Sequence, residues 1–141
     1  MKTKNNLIKI TLSILFIGFM FTACSKDDEE DDVQQTTGAK HLNPPAWIQA
    51  KWMDHSDPNL PTGYEFTEDD MLTIVGSNSV SVKATLTDDD NISENSTNTS
   101  YQFTITHTAS NNSTESWQFT LLDPTHLQAE HGGVTGTYIK E

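Results

Sequence analysis

The chain has 141 residues with 20 acidic against 8 basic side chains, a formal net charge of −12, no arginine and a single cysteine. Phosphate binding draws on clustered Lys and Arg, so this balance argues against a nucleic-acid partner and against attraction to anionic lipid headgroups. One cysteine excludes an intramolecular disulfide, and the length allows one modest core.

Residues 1–23 read as an export signal. Lys2, Lys4 and Lys9 put positive charge ahead of the apolar run Ile10 to Phe21, broken only by Thr11, Ser13 and Gly18. That is the layout of a signal peptide. A helix of about 12 residues rises about 18 Å against a hydrocarbon core of about 30 Å, too short for a permanent span. The run ends in Phe21-Thr22-Ala23-Cys24, which resembles the lipobox of bacterial lipoproteins, with Phe21 where an aliphatic residue is usual. The resemblance implies cleavage before Cys24 and acyl chains on that cysteine. Two or more chains make a stable anchor, because each buried CH₂ adds about 0.8 kcal/mol. The alternative is an ordinary signal peptide with an unrelated cysteine beside its cut site.

Residues 24–42 read as a disordered tether. Asp27 to Asp32 is an unbroken run of carboxylates, followed by the polar stretch Val33 to Lys40; like charges repel and little apolar surface is available to bury. The acidic run beside the cysteine resembles the surface-export signal of Bacteroidetes lipoproteins, which implies an outer-membrane anchor and a domain facing the medium. A plain solvated spacer is the alternative. Loss of residues 1–23 removes three lysines and moves the net charge from −12 to −15. Lipid, not charge, is then the expected membrane contact.

From residue 43 onward apolar residues alternate with Thr, Ser, Gln and Glu, the period of strands with one dry face. Eight strands are predicted, near 47–53, 63–67, 71–76, 79–87, 100–108, 116–122, 126–131 and 134–140. Tyr101, Phe103 and Ile105 alternate with Gln102, Thr104 and Thr106, and Val80, Val82, Ala84 and Leu86 alternate with Ser81, Lys83, Thr85 and Thr87. Glu68-Asp69-Asp70 is a hairpin loop, and Asp123-Pro124 suits a type I turn. The polar stretch Asn91 to Ser100 reads as a mobile loop. The fold class is all-β: a small antiparallel up-and-down barrel, in which closure removes exposed edges, with a split barrel or β-sandwich as the alternative.

Pro45-Ala46-Trp47-Ile48-Gln49-Ala50-Lys51-Trp52 resembles the first strand of the lipocalin-like domains of Bacteroidetes lipoproteins, whose hallmark is Gly-x-Trp, here with Ala50 in place of Gly. The hairpin Tyr64 to Ile74, the turn Leu122 to Leu127 and the ending Gly136-Thr137-Tyr138-Ile139-Lys140 are also similar to that group. The resemblance implies a lipocalin-like β domain over residues 43–141. A full lipocalin is longer and covers its first-strand Trp with an Arg, which this chain lacks.

Parity places Trp52, Tyr64, Phe66, Tyr101, Phe103 and Trp117 on one interior face, where they either line a pocket for a small apolar ligand or fill the core. No metal is expected. His41, His55, His107, His126 and His131 lack ligand spacing, with His126 and His131 on opposite faces of a continuous strand. Asp88-Asp89-Asp90 and Glu68-Asp69-Asp70 lack the alternation that turns oxygens toward calcium. Asn91, Asn95, Asn98 and Asn112 begin glycosylation-type triplets that bacterial export makes compositional. No catalytic constellation is present: there is no nucleophile elbow, no phosphate-cradling loop and no cysteine free for nucleophilic work. The expected function is therefore non-enzymatic and without a cofactor: a lipid-anchored module for a small apolar ligand. The alternative is an accessory lipoprotein with a packed barrel that docks a partner protein or glycan through loops 54–62 and 88–100.

Overall fold

The computed structural model describes residues 34–141. The export signal, Cys24 and the acidic run lie outside them. Ten strands form one antiparallel sheet: β1 Gln34–Ala39, β2 Lys51–Asp54, β3 Thr62–Phe66, β4 Met71–Val75, β5 Asn78–Ser81, β6 Asn91–Ser96, β7 Ser100–His107, β8 Ser113–Asp123, β9 His126–His131 and β10 Val134–Lys140. A single helical turn, α1 Val82–Thr85, and a 3₁₀ turn at Thr108–Ser110 complete the elements.

The sheet is up-and-down and curled into a half-barrel. Strands β2 to β5 are consecutive hairpins, as are β6 to β10, and β10 pairs with β2, so the last strand returns to the first of the hairpins. The sheet stays open between its two edge strands, β5 and β1, the latter paired outside β6. Strand β5 runs toward the end of the barrel that holds the 67–70 turn, residues 82–90 run back, and β6 starts from the opposite end. A non-strand segment thus makes the return from β5 to β6, which pairs with β1 rather than β5.

Local hydrogen bonds explain why the predicted strand 79–87 stops at Ser81. The Ser81 hydroxyl accepts from the Ala84 N–H at 2.9 Å, capping α1, and local caps of this kind compete with sheet pairing. The Asp70 carboxylate accepts from the Ser81 hydroxyl at 2.5 Å, the Lys83 N–H at 2.8 Å and the Met71 N–H at 2.8 Å. The apparent alternation is broken in space: Val82 is buried while Val80 is 54% exposed. Removing these acceptors leaves three donors to find water, so Asp70→Ala should lower stability by about 2 kcal/mol in urea unfolding, with Asp70→Asn losing less.

Three further segments differ from expectation. Asn91–Ser96, expected as loop, is strand β6 between β1 and β7. Its dry face is Ile92 and Glu94, and a carboxylate on the dry face disguises the alternation. The loop contracts to residues 97–99, closed by Thr97 N–H to Ser100 O at 2.8 Å. Gln34–Ala39, expected in the tether, pairs with β6 as β1, where backbone bonding needs no apolar side chain. The predicted first strand begins only at Lys51, because Pro45–Ile48 forms a turn with Ile48 N–H bonded to Pro45 O at 3.0 Å.

Residues 42–50 cross the concave face instead. Leu42 and Ile48 are buried with Trp52 in the core cluster. Asn43 bonds Glu94 on the inner face of β6, the Trp47 indole N–H donates to Thr97 O at 2.9 Å, and the Trp52 indole N–H donates to Ile48 O at 2.8 Å. The sheet curls around this segment, which fills the space an open barrel would leave. Lys140 on β10 sits over Trp52, its Nζ 5.3 Å from the ring centroid.

Several carboxylates, among them the buried Asp90, are held below their usual range. The Thr87 N–H, and then His107, do so for Asp90; His126 and the Thr125 N–H bring Asp123 to about 2; Lys51 and His55 lower Glu141. Each binds its proton more readily in the unfolded chain. Their contribution is complete at neutral pH and is lost as pH falls from about 4 toward 2. Urea midpoints should therefore begin to drop near pH 4, and Asp123→Asn should flatten that decline.

Candidate functional site

The six aromatic residues expected to line a pocket belong to one cluster. Trp52, Phe66, Tyr101 and Phe103 are buried within it, and Phe119 joins them at ring distances of 4.9 Å to Phe66 and 6.4 Å to Tyr101. These side chains are packing, not wall. Tyr64 and Trp117 alone among the six reach an opening.

That opening lies at the end of the half-barrel where β3, β8 and β10 begin and β4 and β9 end. It is a recess of about 180 Å³ lined by Thr62, Tyr64, Thr73, Val75, Trp117, His131 and Tyr138, with Gly63 and Ile74. Register explains the convergence: Trp52 faces Tyr64, Tyr64 faces Thr73, and Trp117 faces His131 across their strand pairs. Tyr138 follows Gly136 on the same face, and a Cβ at Gly136 would stand only 3.0 Å from the Tyr138 hydroxyl. The missing side chain gives the tyrosine ring room to lie along the sheet toward the opening.

The floor of the recess is a stack. Phe103 and Trp117 lie 4.8 Å apart at 18°, and Trp117 and His131 lie 4.3 Å apart at 5°. Opposite stand Tyr64 and Tyr138, edge to face at 5.0 Å. Burial, reinforced by Tyr138, pushes the Tyr64 phenol above its ordinary range, so it stays neutral. The His131 Nδ1 is 3.0 Å from Ser116 O. A carbonyl only accepts, so Nδ1 carries the hydrogen and a neutral ring keeps its lone pair on Nε2.

Comparison with protein-family models, with curated proteins and with solved structures finds no match to this chain. The site is therefore read from its own geometry.

Beside the recess, at the same end, Asp90 Oδ1 lies 3.1 Å from His107 Nδ1, and Glu115 Oε1 lies 4.0 Å from His107 Nε2. An Asp–His pair can orient a base, but no hydroxyl or thiol is bonded to His107 among the described residues. Nor do three His, Cys, Asp or Glu side chains among them converge as metal ligands. The acidic turns serve locally: Asp90 accepts from the Thr87 N–H at 2.8 Å, and Asp69 pairs with Lys83.

Sequence reasoning missed His131 and Tyr138 as lining residues. The signal was present. Leu127, Ala129 and His131 share one parity, and so do Val134, Gly136 and Tyr138, which sets both residues on the dry face at or near the open end.

Proposed function

We propose that the protein is a membrane-anchored, non-enzymatic lipoprotein that holds a small, mainly apolar ligand in the open aromatic recess of its half-barrel. On this reading residues 1–23 direct export, acyl chains on Cys24 form the anchor, and the acidic segment carries the domain outward from the outer membrane into the medium. Support for a lipocalin-like reading of the β domain comes from its up-and-down order, the pairing of its last strand with β2, and the cation over Trp52. The observation that carries the ligand reading is the recess: two tyrosines and a stacked Trp117–His131 pair around about 180 Å³. Sites for small molecules combine such aromatic walls with few polar groups. The volume decides the scale, since an apolar cavity of about 150 Å³ holds benzene. A long acyl chain would extend well beyond the recess.

The packed interior favours a second reading, an accessory lipoprotein docking a partner protein or glycan through its loops. The 88–100 loop invoked for it is mostly strand β6.

Two experiments test the proposal. Cys24→Ser should release a folded domain into the soluble fraction, and persistent membrane attachment would contradict the anchor. Amide NMR of the protein titrated with one-ring fragments should give saturable shifts confined to residues around Tyr64, Trp117, His131 and Tyr138. Absence of any such fragment at millimolar concentration would defeat the ligand reading.

A further inference from the structure

The Phe103–Trp117–His131 stack stops at an exposed imidazole. Trp117 covers one face of His131, and among the described residues no ring lies against the other. No donor among them is bonded to His131 Nε2. Across the two-residue turn Gly132-Gly133, whose φ values of 59° and 78° suit the tightest hairpins, Val134 pairs with His131 and is 73% exposed. The end of the stack is thus a flat face with an apolar neighbour and one acceptor in the ring plane. Tyr64 and Tyr138 close the opposite side of the recess.

Resting on the ligand-binding reading above, we infer that the recess selects a one-ring aromatic molecule that is not an anion and bears a hydroxyl or N–H donor, which adds the next ring to the stack on His131 and donates to its Nε2. Planarity follows from the stack: rings at 4.3 to 4.8 Å continue most favourably with another ring. One ring follows from the volume. Exclusion of an anion follows from a chain of net charge −12 with Glu115 on β8 and Glu130 on β9. The donor follows from the tautomer that Ser116 O imposes.

Phenol, cyclohexanol and toluene separate these requirements, because cyclohexanol keeps the hydroxyl without the flat ring and toluene keeps the ring without the donor. Titrations of the full-length protein followed by amide NMR should show phenol binding about two- to tenfold tighter than cyclohexanol, the range expected for a stacking contact. Phenol should exceed toluene by about three- to tenfold, the range of one hydrogen bond. His131 sits at an exposed strand end, so its variants should fold. His131→Phe should abolish the preference for phenol over toluene and keep that over cyclohexanol. His131→Leu should abolish both. Cyclohexanol binding as tightly as phenol, or both preferences surviving His131→Leu, overturns the inference while leaving a ligand site in place. No binding by any of the three, together with no binder in a wider fragment set, removes the ligand reading itself.

Discussion

Gly63→Ala should be the most damaging small substitution in the domain, lowering stability by about 3 to 4 kcal/mol and the melting temperature by about 15 °C. A Cβ built at Gly63 falls 2.2 Å from Trp52 O and 2.6 Å from Met53 Sδ. The thioether of Met53 is flexible and can swing aside. The Trp52 carbonyl cannot, because it belongs to the backbone of β2 that pairs with β3 across this position. The strands must part, and Trp52, Tyr64 and the recess move with them. Thermal unfolding of Gly63→Ala, alone and combined with Met53→Ala, checks the reasoning. The double variant should remain well below Met53→Ala alone. Full rescue by Met53→Ala would show that the side chain, not the carbonyl, sets the limit.

Glu94→Ala should cost about 2 to 3 kcal/mol, although the residue does not line the recess. Glu94 is 5% exposed and accepts from the Asn43 N–H at 2.8 Å, from the Asn43 amide at 3.0 Å and from the Tyr101 hydroxyl. Truncation leaves the buried Tyr101 hydroxyl without its acceptor, at about 1 to 3 kcal/mol, and also removes the two charge-assisted bonds from Asn43, an exposed residue whose donors can turn to water. Burial and the neighbouring Glu94 hold the Tyr101 phenol above its ordinary range, so it remains a donor at every physiological pH. Tyr101→Phe keeps the ring and removes one donor, and should cost about 1 to 2 kcal/mol. A double-mutant cycle over Glu94→Ala and Tyr101→Phe should return a coupling of about 1 kcal/mol. Additive effects would mean that the hydroxyl finds water when Glu94 is gone. The Asn43 contact has a further consequence, since it fixes the crossing segment to β6. Glu94→Ala should also loosen residues 42–48, visible as faster amide exchange there.

The same carboxylate marks the limit of what the sequence discloses. Strands β7, β9 and β10 follow side-chain alternation because their dry faces are apolar, and β8 does so over Trp117, Phe119 and Leu121. The pattern fails where burial is polar. Glu94 hides β6 behind an apparently hydrophilic loop, and its partners, Asn43 and Tyr101, are 51 and 7 residues away in sequence. It also fails where a side chain caps a turn, as Ser81 and Asp70 do at α1. The crossing of Leu42 to Ile48 beneath the sheet was not legible, since nothing local distinguishes a segment that fills a barrel from one that enters a strand. The candidate site was half legible. Aromatic parity found Tyr64 and Trp117 but overstated the pocket, because facing residues fill a small half-barrel whenever their rings meet. His131 carries no ligand spacing in the sequence to mark it, and its place in the fold is the end of a ring stack.

The central claim is that the recess, and not the packed interior, takes a small molecule. Native mass spectrometry of the intact protein isolated from its own cells tests it most directly. The expected result is a single stoichiometric adduct of one-ring size that is lost in a variant whose recess is filled, such as Thr73→Trp. An adduct the size of a fatty acid or larger, or an unliganded protein that binds nothing added back, would contradict it.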